Sequence, residues 1–426
     1  MLFGFAKAFK MHAFRRPLTG GFRVRHPDHI SVMRNRLFAA SLCFLLCAGG
    51  AVAAPFVPPR DDVVLERLPF RPDDPVQREI GSLRRELATA PDNPRLAVAL
   101  ARRYFALAAA QSDPRYVGYA QAALKPWWNE PQPPAGVLVM RATLRQYVHD
   151  FAGALADLDR ALALNPADIE ALSLRADINL VQGEYAASRR DCERMAPYVT
   201  TLTDVGCTTF VDGLNGRARE AHDRLAAALA QAKRVDADQR LWILTRLAEM
   251  AWRLNDPQRA EAHFRNALAL GIDDGFLLAA YADFLLDYGR PQEVVRLLKD
   301  WARADPLLLR LVLAEQALGA RGFKEHRDAL AARYAAARLR GDTTHEQEES
   351  RFALHVLKQP EEALQLALSN WRLQREPRDA RAVLEAALAL RRPQAAQPVL
   401  DWMARNGVED WALRGLAVRL AQGGAQ

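Results

Sequence analysis

From Val76 to the C-terminus, apolar residues recur every three or four positions in stretches of ten to fifteen, with polar residues between them. This is the pattern of amphipathic helices, each with one face to bury. The stretches break at Gly, Asn-Pro or Asp-Pro, which end helices or open turns. Val, Ile and Thr runs with period two are nearly absent, so the pattern predicts no sheet. The expected fold class is all-α. Residues 54–75 read differently: their prolines and paired acids predict an extended linker or wrapping arm.

The helices also repeat. The segment AGVLVMRATLRQYVHDFAGALADLDRALALNPAD, starting at Ala135, resembles the tetratricopeptide repeat, a helix–turn–helix unit of about 34 residues. Ala142 takes the small eighth position; Phe151, Ala154, Leu158 and Ala161 take positions 17, 20, 24 and 27; Pro166 takes position 32. Arg145 departs from the pattern at position 11, where a large aromatic is usual. Further units start at Ile169, near Leu202, at Leu241 and at Gly275. One such hairpin cannot bury both of its faces, so the resemblance implies an α-solenoid of stacked repeats. The expected organisation is divergent helical hairpins over 76–134, clear repeats over 135–306, a degenerate hairpin over 307–340, a charged loop over 341–350 and repeat-like hairpins over 351–426.

The chain opens on another signal. MRNRLFAASLCFLLCAGGAVAAPFVPP, from Met33, has a short positive end, an apolar run from Leu37 to Ala48, and the small pair Ala51 and Ala53. That is the three-part form of a secretory signal over 33–53, with cleavage favoured after Ala53; an uncleaved anchor is the alternative. Cys43 and Cys47 each follow a leucine, which argues against a lipoprotein. Residues 1–32 are either an extended positive region or the product of an early start, with Met33 as the true one. Either way the expectation is export, periplasmic or secreted.

Export changes how the charge is read. The chain carries 58 Lys and Arg against 51 Asp and Glu, a net of +7. Residues 1–54 hold eight of the basic residues and one of the acids, so the remainder has 50 of each. A neutral exported part lacks the basic field that condenses on phosphates, so no nucleic-acid partner is expected. Two cysteines remain, Cys192 and Cys207. In an oxidising compartment such a pair can bond. Cys192 falls at position 24 of one second helix and Cys207 near position 6 of the next first helix. The two can therefore face each other, or be two separate buried thiols.

Catalytic signatures are missing from the sequence. There is no G-x-S-x-G, no phosphate loop after a strand, and HEQEE at His345 lacks the second histidine of H-E-x-x-H. His149, His222, His263, His326, His345 and His355 are dispersed along the chain. The reading is a non-catalytic protein with no cofactor and no metal. In the tetratricopeptide family, positions 2, 5, 9, 12 and 13 of the first helices line a concave face. The resemblance therefore nominates Asp177, Glu249, Asp283 and Phe210 at position 9, with Trp242, Trp252 and Phe276 at positions 2 and 12. They imply an acidic, aromatic groove for a protein partner in the cell envelope; the plain alternative is the wet side of amphipathic helices. Trp127 and Trp128 are either a recognition platform or the cap of a core. The expected function is a scaffold or adaptor, or else an accessory subunit of an envelope assembly or polysaccharide-secretion machine.

Overall fold

A computed structural model of the chain describes Arg60, residues 74–111 and residues 115–423. The expected signal segment and nearly all of the expected linker lie outside these residues. The chain divides into two units, residues 13–78 and residues 1–12 with 79–426. Of the first, only Arg60 and the start of one helix are described. The second is built of α-helices, with no strand among the described residues.

Three helices lead in: α1 (Pro75–Thr89), α2 (Pro94–Gln111) and α3 (Arg115–Ala123). Five hairpins follow, pairing α4 (Ala135–Tyr147) with α5 (Phe151–Leu164), α6 (Ile169–Val181) with α7 (Tyr185–Met195) and α8 (Thr201–Asp212) with α9 (Ala218–Gln231). The fourth and fifth pair α10 (Ala237–Arg253) with α11 (Pro257–Leu268) and α12 (Gly275–Asp287) with α13 (Pro291–Leu298). Next comes the hairpin of α14 (Asp305–Leu318) and α15 (Phe323–Leu339). The C-terminal part holds α16 (Glu346–Phe352), α17 (Pro360–Leu373), α18 (Pro377–Ala389), α19 (Gln397–Arg405) and α20 (Trp411–Gly423).

The repeat register accounts for the packing. Ala142, Ala248 and Ala282 at position 8 and Ala154, Ala221 and Ala260 at position 20 are fully buried, because small side chains let the paired helices approach. Leu158, Leu225, Phe264 and Leu298 at position 24 fill the space between, also fully buried. Asp150, Asp168, Asp236, Asp256 and Asp274 each accept from the backbone N–H three residues on, capping the helix that follows. Position 15, the turn inside each hairpin, has a left-handed backbone in all five units: His149, Gly183, Gly216, Asn255 and Gly289. Two consecutive units also lock first helix to second by an Arg–Asp pair sixteen residues apart. Arg141 donates to both oxygens of Asp157 at 2.7 Å, and Arg175 donates to Asp191 at 2.5 and 2.9 Å. The Arg141 and Asp157 side chains are buried.

One expectation changes and one open alternative is decided. The charged loop ends at His345, and Glu346, Glu348 and Glu349 form the first turn of α16, where carboxylates favour the positive helix end. Its buried residues are not solvated charges, since Gln347, Glu349 and Ser350 are inside. Trp127 and Trp128 pack on the core formed by α2, α3 and α4, and Arg141 donates to both of their carbonyls.

The larger finding concerns the inner face. One continuous core joins Leu174, Ile178 and Val211 of the first helices to Val383, Leu384, Trp402 and Leu413 of the C-terminal part. The Arg375 N–H donates to the Val181 carbonyl at 2.7 Å, Gln374 hydrogen-bonds His149, and the Ala218 N–H donates to Glu409 at 2.5 Å. At Gly216, φ is +73°, and an added Cβ would lie 3.2 Å from the carbonyls of Asn406 and Gly407. The inner side chains thus face the chain's own α16–α20, where an open groove was expected.

Candidate functional site

The site is the space left between the first helices and the C-terminal part. On α10, Trp242, Arg246, Glu249 and Arg253 are spaced four, three and four apart, so they share one helix face. Arg246 is 3 % exposed. Its guanidinium sits 4.6 Å from the Phe210 ring, 4.5 Å from Phe276 and 5.9 Å from Trp242, within the range of cation–π attraction. Its Nη1 donates to Glu249 at 2.8 Å. Sequence reasoning singled out the aromatics and Glu249 but not the arginine that binds them together.

Asp283, on α12, accepts from Arg310 at 2.7 and 3.1 Å and from Arg351 at 3.0 and 3.2 Å. Burial alone raises a carboxyl, but these two guanidiniums overcome it and hold Asp283 well below the usual range. One turn on, Asp287 accepts from Arg381 of α18 at 2.7 and 2.8 Å. Arg381 also donates to Glu385, which meets His355 at 2.8 Å. Asp177 has no such partner among the described residues. It is 7 % exposed with Oδ2 unpaired, and burial pushes it up to about 8, against Arg246 and with Glu376. Asp379 is likewise pushed up to about 7 by burial and by its neighbour Glu376.

Five of the seven nominated residues (Phe210, Glu249, Trp252, Phe276 and Asp283) line one cavity of about 110 Å³. That is room for several waters or a small organic group. The opposite wall comes from α16, α18 and α20, through Gln347, Arg351, Arg378, Arg381 and Trp411. Trp411 is 39 % exposed and marks the rim. Trp242 and Asp177 are not in the lining; Trp242 packs edge-on against Phe210 at 5.9 Å. The Cys192 and Cys207 sulfurs lie 1.94 Å apart in a disulfide that ties α7 to α8.

Away from the cavity, His222 and His263 bring their Nε2 atoms to 3.3 Å between α9 and α11. The histidines are therefore less scattered than their spacing suggests. No group of three metal-ligating side chains occurs among the described residues. No helix among them is long and apolar enough to cross a membrane.

No protein-family description matches the chain, and no curated protein does. Among solved structures, a tetratricopeptide repeat protein from Parabacteroides merdae is 15 % identical, covering 60 % of this chain and 90 % of its own, at a TM-score of 0.41. The Cut9–Hcn1 hetero-tetramer of the APC/C is similar at 14 % identity, over 81 % of this chain and 52 % of that one, with a TM-score of 0.37. Human IFIT1, a dimer with m7Gppp-AAAA, is similar at 13 % over 82 % of this chain and 87 % of its own, at 0.36. The assignment rests on the chain's own register: position 8, position 15 and position 20 recur in hairpin after hairpin. The protein is an all-α solenoid of tetratricopeptide-like repeats. Its inner face is covered by its own C-terminal helices.

Proposed function

We propose that the protein is a non-catalytic scaffold or adaptor, exported to the periplasm or beyond, that binds a protein partner of the cell envelope at the rim of this cavity. One observation carries the reading. Phe210, Trp252 and Phe276 of three first helices and Trp411 of the C-terminal part meet six arginines and five carboxylates around one opening. Aromatic and arginine side chains at a partly enclosed pocket are the usual anchors of a protein interface. The covered inner face restricts the partner to an inserted side chain or short segment, in contrast to a long helix along an open groove. Export is supported by the N-terminal residue pattern.

A photo-crosslinking residue in place of Ala412 tests the interface, with capture from envelope extract. A stoichiometric protein adduct is expected. Adducts with glycan alone would favour an accessory subunit of an assembly or polysaccharide-secretion machine, and no adduct would remove the rim as a binding surface. A C-terminal reporter enzyme that is active only outside the cytoplasm tests export separately.

A further inference from the structure

The cavity holds hydrogen-bonding capacity that the fold does not use. Five of its six arginines are paired: Arg246 with Glu249, Arg310 and Arg351 with Asp283, Arg378 with Glu376, and Arg381 with Asp287. The fifth carboxylate, Asp410, accepts from the N–H groups of Ala412 and Leu413 at the start of α20. That leaves Arg253, which makes no ion pair or hydrogen bond among the described residues. Its Nε is buried without a partner, and so is the Nε of Arg246 seven residues earlier on the same helix face. Burial pulls the Arg253 guanidinium below its ordinary value. On α16, Gln347 is 5 % exposed, and neither its amide nitrogen nor its amide oxygen has a partner among the described residues. Glu376 Oε1 is in the same position.

An arginine Nε buried without a partner and a buried amide with neither partner are both costly, and Glu249 and Asp410 act on Arg253 only from beyond ion-pair distance. A carboxylate fits the guanidinium fork. A hydroxyl can donate to the Gln347 oxygen and accept from its nitrogen at the same site. The aromatic faces of Trp252 and Phe276 supply apolar contact for the carbon skeleton between the two.

We propose that this cavity binds a small hydroxylated carboxylate, with its carboxylate on Arg246 and Arg253 and its hydroxyls on Gln347 and Glu376. The proposal goes beyond the scaffold reading and does not require it, because the ligand is a free small molecule and its test needs no partner. Titration calorimetry of the full, disulfide-bonded chain with lactate, gluconate and glucuronate reads it, with acetate and glucose as controls. At least one of the three hydroxy acids binds with Kd below about 1 mM, and both controls bind at least about tenfold more weakly. Arg253→Met weakens binding by about tenfold or more. Gln347→Met, on a different helix, brings the hydroxy acid down to the affinity of acetate. Binding by none of the three overturns the proposal, as does acetate equalling them, or a folded Arg253→Met chain with unchanged affinity. The comparison among ligands on the unaltered chain stands even where a variant fails to fold.

Discussion

Removing the Asp283 carboxylate is the sharpest perturbation of the join between the repeats and the C-terminal hairpins. Arg310 reaches Asp283 from the next first helix, and Arg351 reaches it from beyond the end of the solenoid proper. Their side chains are 2 % and 14 % exposed. Asp283→Ala leaves two guanidiniums facing each other with their shared counterion gone. Breaking a buried pair in this way costs about 3–5 kcal/mol, most of it from the charge left behind. Glu348 lies 3.9 Å from Arg310 and compensates part of the loss, so the lower end, about 3 kcal/mol, is expected. Asp283→Asn keeps one acceptor oxygen and falls between. Replacing Asp283, Arg310 and Arg351 together by Leu, Met and Met recovers part of the stability lost in Asp283→Ala, because the two facing guanidiniums are gone, but not all of it, because Glu348 loses Arg310. Urea unfolding followed by circular dichroism at neutral pH measures all three. A loss below about 1 kcal/mol for Asp283→Ala, the range of an exposed ion pair, would refute the buried node.

Four further outcomes follow from the same structure. Replacing Cys192 and Cys207 by Ala removes a bond spanning fifteen residues and costs about 3 kcal/mol on chain-entropy grounds; mass spectrometry of the unreduced chain checks that neither thiol is free. Burial lowers His149 and His263 from 6.5 to about 4, so between these pH values the unfolded chain takes up protons that the folded one refuses. Stability therefore falls as pH drops from 6.5 to 4 and stops falling through these groups below that, and His263→Asn flattens the curve measured by pH-dependent melting. Gly216→Ala lowers the melting temperature and speeds hydrogen exchange in α19 and α20, since the new Cβ meets two carbonyls at 3.2 Å with φ at +73°; Gly415→Ala, with open space around it, is neutral or stabilising by up to about 1 kcal/mol.

The helices and their pairing were legible because each obeys local rules that the sequence displays directly. Ala at positions 8 and 20, Asp caps and turn residues such as Gly183 and Asn255 set the hairpins without reference to distant parts of the chain. The Arg141–Asp157 and Arg175–Asp191 locks were legible too, by their common spacing, and went unread. The candidate site was legible only in half. Position 9 and position 12 residues do point inward, but what they meet is set by α16–α20, which lie up to two hundred residues away. Arg351 and Arg381 look like any surface arginine on an amphipathic helix; only the fold shows that they reach Asp283 and Asp287. HEQEES looked like a solvated charge run for the same reason, since Glu348 and Glu349 are paired by Arg310 and Arg338 from other helices.

The central claim is that the chain covers its own inner face. Thiol labelling tests it most directly, because the native Cys192 and Cys207 are bonded and do not react. With Cys43 and Cys47 replaced by Ser, a single Asp177→Cys probe is placed at a position that is 7 % exposed and compared with Ala404→Cys on the exposed side of α19. The account predicts that maleimide modifies the Asp177→Cys chain at least about a hundredfold more slowly than the Ala404→Cys chain, and at the rate of local opening. Equal labelling rates at the two positions would contradict it and return the inner face to an open groove.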